Sequence, residues 1–556
     1  MGLIAASVLS LGGILFTQGT ADEVSAQTPG KTEAKAGAKK SATPVQKLGK
    51  VPGAGTKMDA AALARAIDQE VTQRLASEGI KASALADDAE FLRRVYLDLV
   101  GIIPPVEKVA AFLDSKDANK RSKVVEELLA DPRYGKWMAE NWVVAMIPRD
   151  SNNRLLQRAP LQEWLTKQFN ANTPWDKLVH DLLTASGDIE GNGAVTYFVG
   201  NNTVDKMTDS VTKLFMGVQL QCAQCHNHPF TNWKQDEYWG MAQFFMKVRL
   251  SATPQQAAKK GAALIVSEDG KAKGKKKGLP ESAKIVPARF LQAAESTRLA
   301  PSEPARPVLA KWMTSANNPF FARAMVNKTW AHFFGRGLVN PVDDMHDGNP
   351  ATHPELLAAL TEQFKTNGFD LKYLIRAIVN SQTYQRTSRP TADNDTDTEL
   401  LSHAAVRMLT AEQLFDSITS VLGAPGRGGF DFGKKGGAVG KKGPGGPREQ
   451  FIAFFRLDEG SDVLEYQAGI PQALRLMNSA MLNNTTQFVN RAMTQSGGTP
   501  PARVVEYLYM ATLSRRPTPA ELERRVAYVT RQSDARAAYG DLTWALLNSS
   551  EFLTNH

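Results

Sequence analysis

Apolar residues recurring every three to four positions, in runs cut by proline, glycine and asparagine, restrict this chain more than any other feature. Only a helix presents one buried face at that period. The run from Phe91 to Leu99 is closed by Gly101 and Pro104-Pro105, and Trp137 to Met146 carries its bulk on Trp137, Trp142 and Val144. Further helical runs are expected over Pro471–Leu482, Val504–Ser514 and Ala520–Arg531. Thr352-His353-Pro354-Glu355 ahead of LLAALTEQF reads as a capping box, with Thr352 accepting from the Glu355 backbone N–H. The expected fold class is therefore mainly α.

At 556 residues the chain exceeds what one hydrophobic core supports. The expectation is two helical domains, 58–250 and 300–556, joined by a low-complexity segment at 251–299, with a disordered tail at 27–57 and a Gly-rich loop at 423–447. Residues 1–26 read as a signal peptide, from the apolar run Leu3–Phe16 and the small-residue site Val24-Ser25-Ala26. A retained N-terminal anchor is the alternative. Either reading directs the protein to the periplasm or the cell exterior. The net charge of +9 comes largely from lysines in the tail, the 259–277 segment and the Gly-rich loop. These runs lack interleaved aromatics, so nucleic acid is not an expected partner.

The chain contains two cysteines, three positions apart and followed at once by a histidine: Cys222-Ala223-Gln224-Cys225-His226. This is the spacing of c-type haem attachment, in which two thiols add to the haem vinyl groups and the imidazole becomes an axial iron ligand. Met241 and Met246 are candidates for the opposite axial position, with core packing as their other reading. Three alternatives stay open: a Cys222–Cys225 disulfide, a zinc site formed with His226 and His228, and a packed, reduced turn. Phe230, Trp233, Tyr238, Trp239, Phe244 and Phe245 surround the motif with rings suited either to walling a haem or to building a core. A second polar cluster, Asp343, Asp344, His346, Asp347 and His353, offers ligands for a divalent cation or the residues of a structural loop.

The segment LFMGVQLQCAQCHNHPFTNWKQDEYWGMAQFF, with FLRRVYLDLVGIIPPVEKVAAFL upstream, resembles the planctomycete cytochrome-like domain of unknown function. NPFFARAMVNKTWAHFFGRGLVNPVDDMHDGNPATHPELLAAL, with EYQAGIPQALRLMN and YLYMATLSRRPTPAEL, is similar to the domain of unknown function that commonly follows it. The resemblance covers about residues 60–250 and 300–550 and implies an extracytoplasmic protein in which Cys222, Cys225 and His226 match the haem motif. The functional expectation is electron transfer or redox sensing through haem c, with an unidentified electron partner. A structural or binding protein stapled by its Cys/His turn, and an oxidoreductase on an unknown substrate, are the alternatives.

Overall fold

A computed structural model describes residues 56–147, 156–252, 265–268, 286–300, 303–423, 446–455, 474, 476–497 and 500–556. The expected signal peptide, nearly all of the tail and most of the Gly-rich loop fall outside these residues, as do 471–473 and 475 of the run expected over 471–482. The described chain is mainly helical. Its first ten helices are α1 (Ala60–Ser77), α2 (Asp88–Val100), α3 (Val106–Asp114), α4 (Lys120–Ala130), α5 (Pro132–Met146), α6 (Ala159–Asn170), α7 (Trp175–Leu183), α8 (Thr196–Gly200), α9 (Val204–Met216) and α10 (Gln235–Ala242). The next are α11 (Arg306–Met313), α12 (Phe321–Phe334), α13 (Pro354–Thr366), α14 (Leu371–Asn380) and α15 (Ala411–Leu422), with further helices over Pro501–Leu513 and Pro519–Arg531.

Helix α2 shows why the sequence folds inward here. Asp87 starts it by accepting from the Ala89 and Glu90 N–H groups, and Gly101 ends it in the left-handed region at φ 71°. From Glu90 to Val100 every residue is buried, including Arg93, Arg94 and Asp98. Such charges survive burial only when paired and hydrogen-bonded. Arg93 donates to the Thr512 and Phe552 carbonyls, whereas Arg94 donates to those of Tyr384 and Arg386 and pairs with Glu90. Adjacent arginines thus tie one helix to two distant stretches of the chain.

The main hydrophobic core runs from Leu63 to Tyr384 and takes residues from both sides of the 251–299 segment. A second core joins Leu97 and Ile103 to residues between Leu409 and Phe552. The described residues from Thr56 onward belong to one compact unit. Residues 265–268 of the 251–299 segment are ordered structure. Ile265–Glu268 forms the central strand β3 of an antiparallel sheet, between β1 (Gly187–Asp188) and β2 (Val248–Leu250). Its Glu268 is buried against the equally buried Arg306 at 3.0 Å, and this pair anchors the start of α11. A short antiparallel pair, β4 (Arg407–Met408) with β5 (Thr554–Asn555), fixes the C-terminus.

The expected capping box at Thr352 is also corrected. With Pro354 at the first helical position, the N-cap of α13 falls on His353, one residue later than expected, and no side chain caps it. The Thr352 hydroxyl instead donates to the Leu338 carbonyl and contacts His353 Nδ1 at 3.0 Å.

Candidate functional site

The cysteine motif follows α9, which Gly217 terminates at φ 67°. The chain then enters a single 3-10 turn, Gln221–Gln224. Ala223 is its buried anchor, its N–H donating to the Leu220 carbonyl at 2.8 Å. With Ala223 pointing inward, Cys222 and Cys225 both face outward as exposed, free thiols.

Helix α10 holds this turn in place from behind. The Gln235 amide donates to the carbonyls of Gln224 (3.1 Å) and Cys225 (2.8 Å), and the Trp239 indole N–H also donates to Gln224 (3.1 Å). In return the Asn227 side chain accepts the Gln235 backbone N–H at 3.0 Å, satisfying one of the open donors of the helix start. Gln235 and Trp239 are four apart and so share one helix face. Neither Gln235 nor Asn227 stands out in the sequence; the four-residue spacing in Gln235-Asp236-Glu237-Tyr238-Trp239 is the signal that could have found the first of them.

His226 is exposed, and its Nδ1 lies 2.7 Å from the Asn227 carbonyl. A carbonyl only accepts, so Nδ1 carries the proton, and in the neutral ring the lone pair stands on Nε2. Nε2 makes no hydrogen bond among the described residues. His228 is used differently: its Nδ1 accepts the N–H groups of Thr231 (3.1 Å) and Phe230 (3.3 Å), and its own backbone N–H donates to the Trp233 carbonyl. It therefore shapes the loop after the motif.

Met241 and Met246 are buried in the main core, and so are Trp233, Tyr238, Trp239, Phe244 and Phe245. Phe230 is the exception, with 88% of its surface exposed. Asp209 on α9 is half-buried beside Asp205 and Tyr238; its carboxyl is raised to about 7 by desolvation first and by the Asp205 charge second.

Two members of the second cluster, His346 and Asp347, line a cleft of about 880 Å³. Its walls include Phe230 and Trp233 from the loop after the motif, Phe320 and Arg323 at the start of α12, and His346, Asp347 and Asn349. The Met345 N–H donates to the Gly217 carbonyl at 2.9 Å, which ties this loop to the segment leading into the cysteine turn. Two clusters far apart in sequence are thus neighbours in space.

The acidic members of this cluster are dispersed. Asp343 pairs with the buried Lys328 amine, Asp344 approaches His346 Nε2 at 3.5 Å, and His346 Nδ1 accepts the Gly348 N–H. His353 is fully buried, and burial lowers its imidazole to about 4. Among the described residues no three His, Cys, Asp or Glu side chains gather as a metal ion requires.

Residues 66–250 match the family model PSCyt2, a protein of unknown function (DUF1549), and residues 305–433 match PSD1, a protein of unknown function (DUF1553). The segments EYQAGIPQALRLMN and YLYMATLSRRPTPAEL lie beyond both matched stretches. No curated protein and no solved structure matches the chain. No helix among the described residues is long and apolar enough to cross a membrane. The stretch that matches PSCyt2 carries Cys222, Cys225 and His226, and the stretch that matches PSD1 carries Asp343, Asp344 and His346; both models are of unknown function.

Proposed function

We propose that the Cys222–His226 turn attaches a c-type haem and that the protein works in electron transfer or redox sensing outside the cytoplasm. The observation that carries this reading is the state of His226. A hydrogen bond from one ring nitrogen to a backbone carbonyl is the arrangement that fixes a ligating imidazole in its tautomer and raises its basicity. Here it leaves Nε2 exposed and without a hydrogen bond beside two exposed, free thiols. The donor set suits the group: Cys222 and Cys225 would hold it through thioethers, each S–H adding across one vinyl double bond, and His226 Nε2 would bind the iron. Haem so held supplies a one-electron couple.

The rest of the turn has a share in this. Ala223 faces the core, and Gln235 and Trp239 fix the carbonyls of residues 224 and 225, so the thiols and imidazole stay outward. Such attachment is made outside the cytoplasm, which agrees with the export pattern of residues 1–26. The iron's other axial ligand is not assigned to Met241 or Met246, both of which serve the core.

The full chain co-expressed with haem-maturation machinery should be red, show a Soret band and keep its haem through denaturation. Cys222→Ala/Cys225→Ala should abolish covalent attachment. His226→Ala should change the axial-ligand spectrum. A colourless product from cells whose control cytochrome matures normally, or a quantitative Cys222–Cys225 disulfide in the purified protein, would refute the proposal.

A further inference from the structure

The large cleft beside the cysteine turn has a chemistry of its own. Phe230 projects at its mouth with 88% of its surface in solvent. A ring so exposed leaves its face free for a ligand to stack on. Behind it the Trp233 and Phe320 rings, 6.2 Å apart and tilted, line the wall.

Among these rings stand two opposite charges that are not spent on each other. Arg323 and Asp347 line the same cleft, near enough for the Asp347 charge to act on the guanidinium, yet neither makes a hydrogen bond or ion pair among the described residues. The guanidinium keeps five donors open and the carboxylate keeps its acceptors. The other polar groups are partly used. His346 Nδ1 accepts from Gly348, Asn349 donates to the Asp344 carbonyl, and the Glu237 carboxylate accepts the Lys234 N–H.

A ligand complementary to this cleft must accept from Arg323, donate to Asp347 and lay an apolar face on Phe230. A simple anion meets the repulsion of Asp347, and a simple cation that of Arg323. Vicinal hydroxyls donate and accept at once, and a pyranose ring turns a C–H face outward from them. The volume, near the upper end for ligand pockets, suits more than one ring. We infer that this cleft binds a saccharide chain, with Phe230 as the stacking platform and Arg323 and Asp347 as the hydroxyl clamp. The assignment stands independently of haem attachment.

The test uses the full chain in affinity electrophoresis and calorimetry with cellohexaose, chitohexaose, laminarin and alginate, and with the zwitterion glycylphenylalanine. At least one saccharide should bind. Phe230→Ala, which removes an exposed ring, and Arg323→Ala/Asp347→Asn should each weaken that binding about tenfold or more. Cys222→Ala/Cys225→Ala should leave it unchanged, which separates this result from the fate of the haem proposal. Binding of no saccharide, saccharide binding unmoved by the cleft variants, or variant-sensitive binding of the dipeptide in place of a saccharide would overturn the inference.

Discussion

Asp98 offers the sharpest test of how this fold is held. Its carboxylate is 2% exposed and serves three donors. Oδ1 accepts from Arg407 Nη2 and Asn555 Nδ2, each at 2.7 Å, and Oδ2 accepts from the Tyr384 hydroxyl at 2.8 Å. Hydrogen bonds to a charged group contribute about 1.5–3 kcal/mol apiece, and three sharing one carboxylate do not add in full. Arg407 also keeps its bond to the His332 carbonyl, which limits what it loses. Asp98→Ala should therefore destabilise the protein by about 3–5 kcal/mol, the range for breaking one side of a buried ion pair. Asp98→Asn, which keeps one acceptor oxygen and the volume, should cost about half as much. Urea unfolding followed by tryptophan fluorescence reads both values. Because Arg407 and Asn555 lie on the paired strands β4 and β5, hydrogen exchange at Leu409, whose amide bonds to Leu553, should accelerate in step. A loss below about 1 kcal/mol for Asp98→Ala, with Leu409 protection unchanged, would refute the view of α2 as the tie between the two cores.

Three further outcomes follow from single sites. Gly101 has φ +71°, and a Cβ there would meet the Trp137 ring at 2.5 Å; Gly101→Ala should cost about 2–4 kcal/mol, visible as a lower melting temperature. His353 is buried neutral, its pKa lowered from 6.5 to about 4, so the unfolded chain takes up a proton that the folded one refuses. Stability should fall as pH drops from about 6.5 towards 4, by about 3 kcal/mol at the end of that window, and His353→Gln should remove this share of the slope in pH-dependent melts. Asp209 has the opposite sign: raised from 3.8 to about 7, it stays protonated in the fold while the unfolded chain ionises. Stability should decline as pH rises from about 4 to 7. Asp209→Asn should melt higher than the wild type at pH 8 and alike at pH 4; equal melting at both would exclude the assignment.

Helices were legible because their signals are local. The Asp87 and Gly101 boundaries of α2, the Pro132 start of α5 and the Pro519 start of its late helix can all be read from neighbouring residues. The burial of Arg93, Arg94 and Asp98 was not, since apart from Glu90 the side-chain partners that hold these charges lie between 286 and 461 positions away and no periodicity encodes them. Ile265–Glu268 was hidden for a related reason: four residues amid lysines and glycines become a strand only because β1 and β2 supply its hydrogen bonds. The cysteine motif stood out by composition alone, yet the features that make it a site are tertiary. The proton on His226 Nδ1 is fixed by local backbone, whereas the clamp from Gln235 and Trp239 needs α10 folded against the turn. The same holds for the Asp343–His353 cluster. Read alone it offered either ligands for a cation or a structural loop; folded, Lys328 takes Asp343, His353 is buried, and His346 and Asp347 line the cleft with Phe230. Among the contacts that join the two clusters is a backbone hydrogen bond from Met345 to Gly217. That bond ties the loop carrying His346 and Asp347 to the segment that leads into the cysteine turn, while Phe230 and Trp233, from the loop after the turn, line the same cleft.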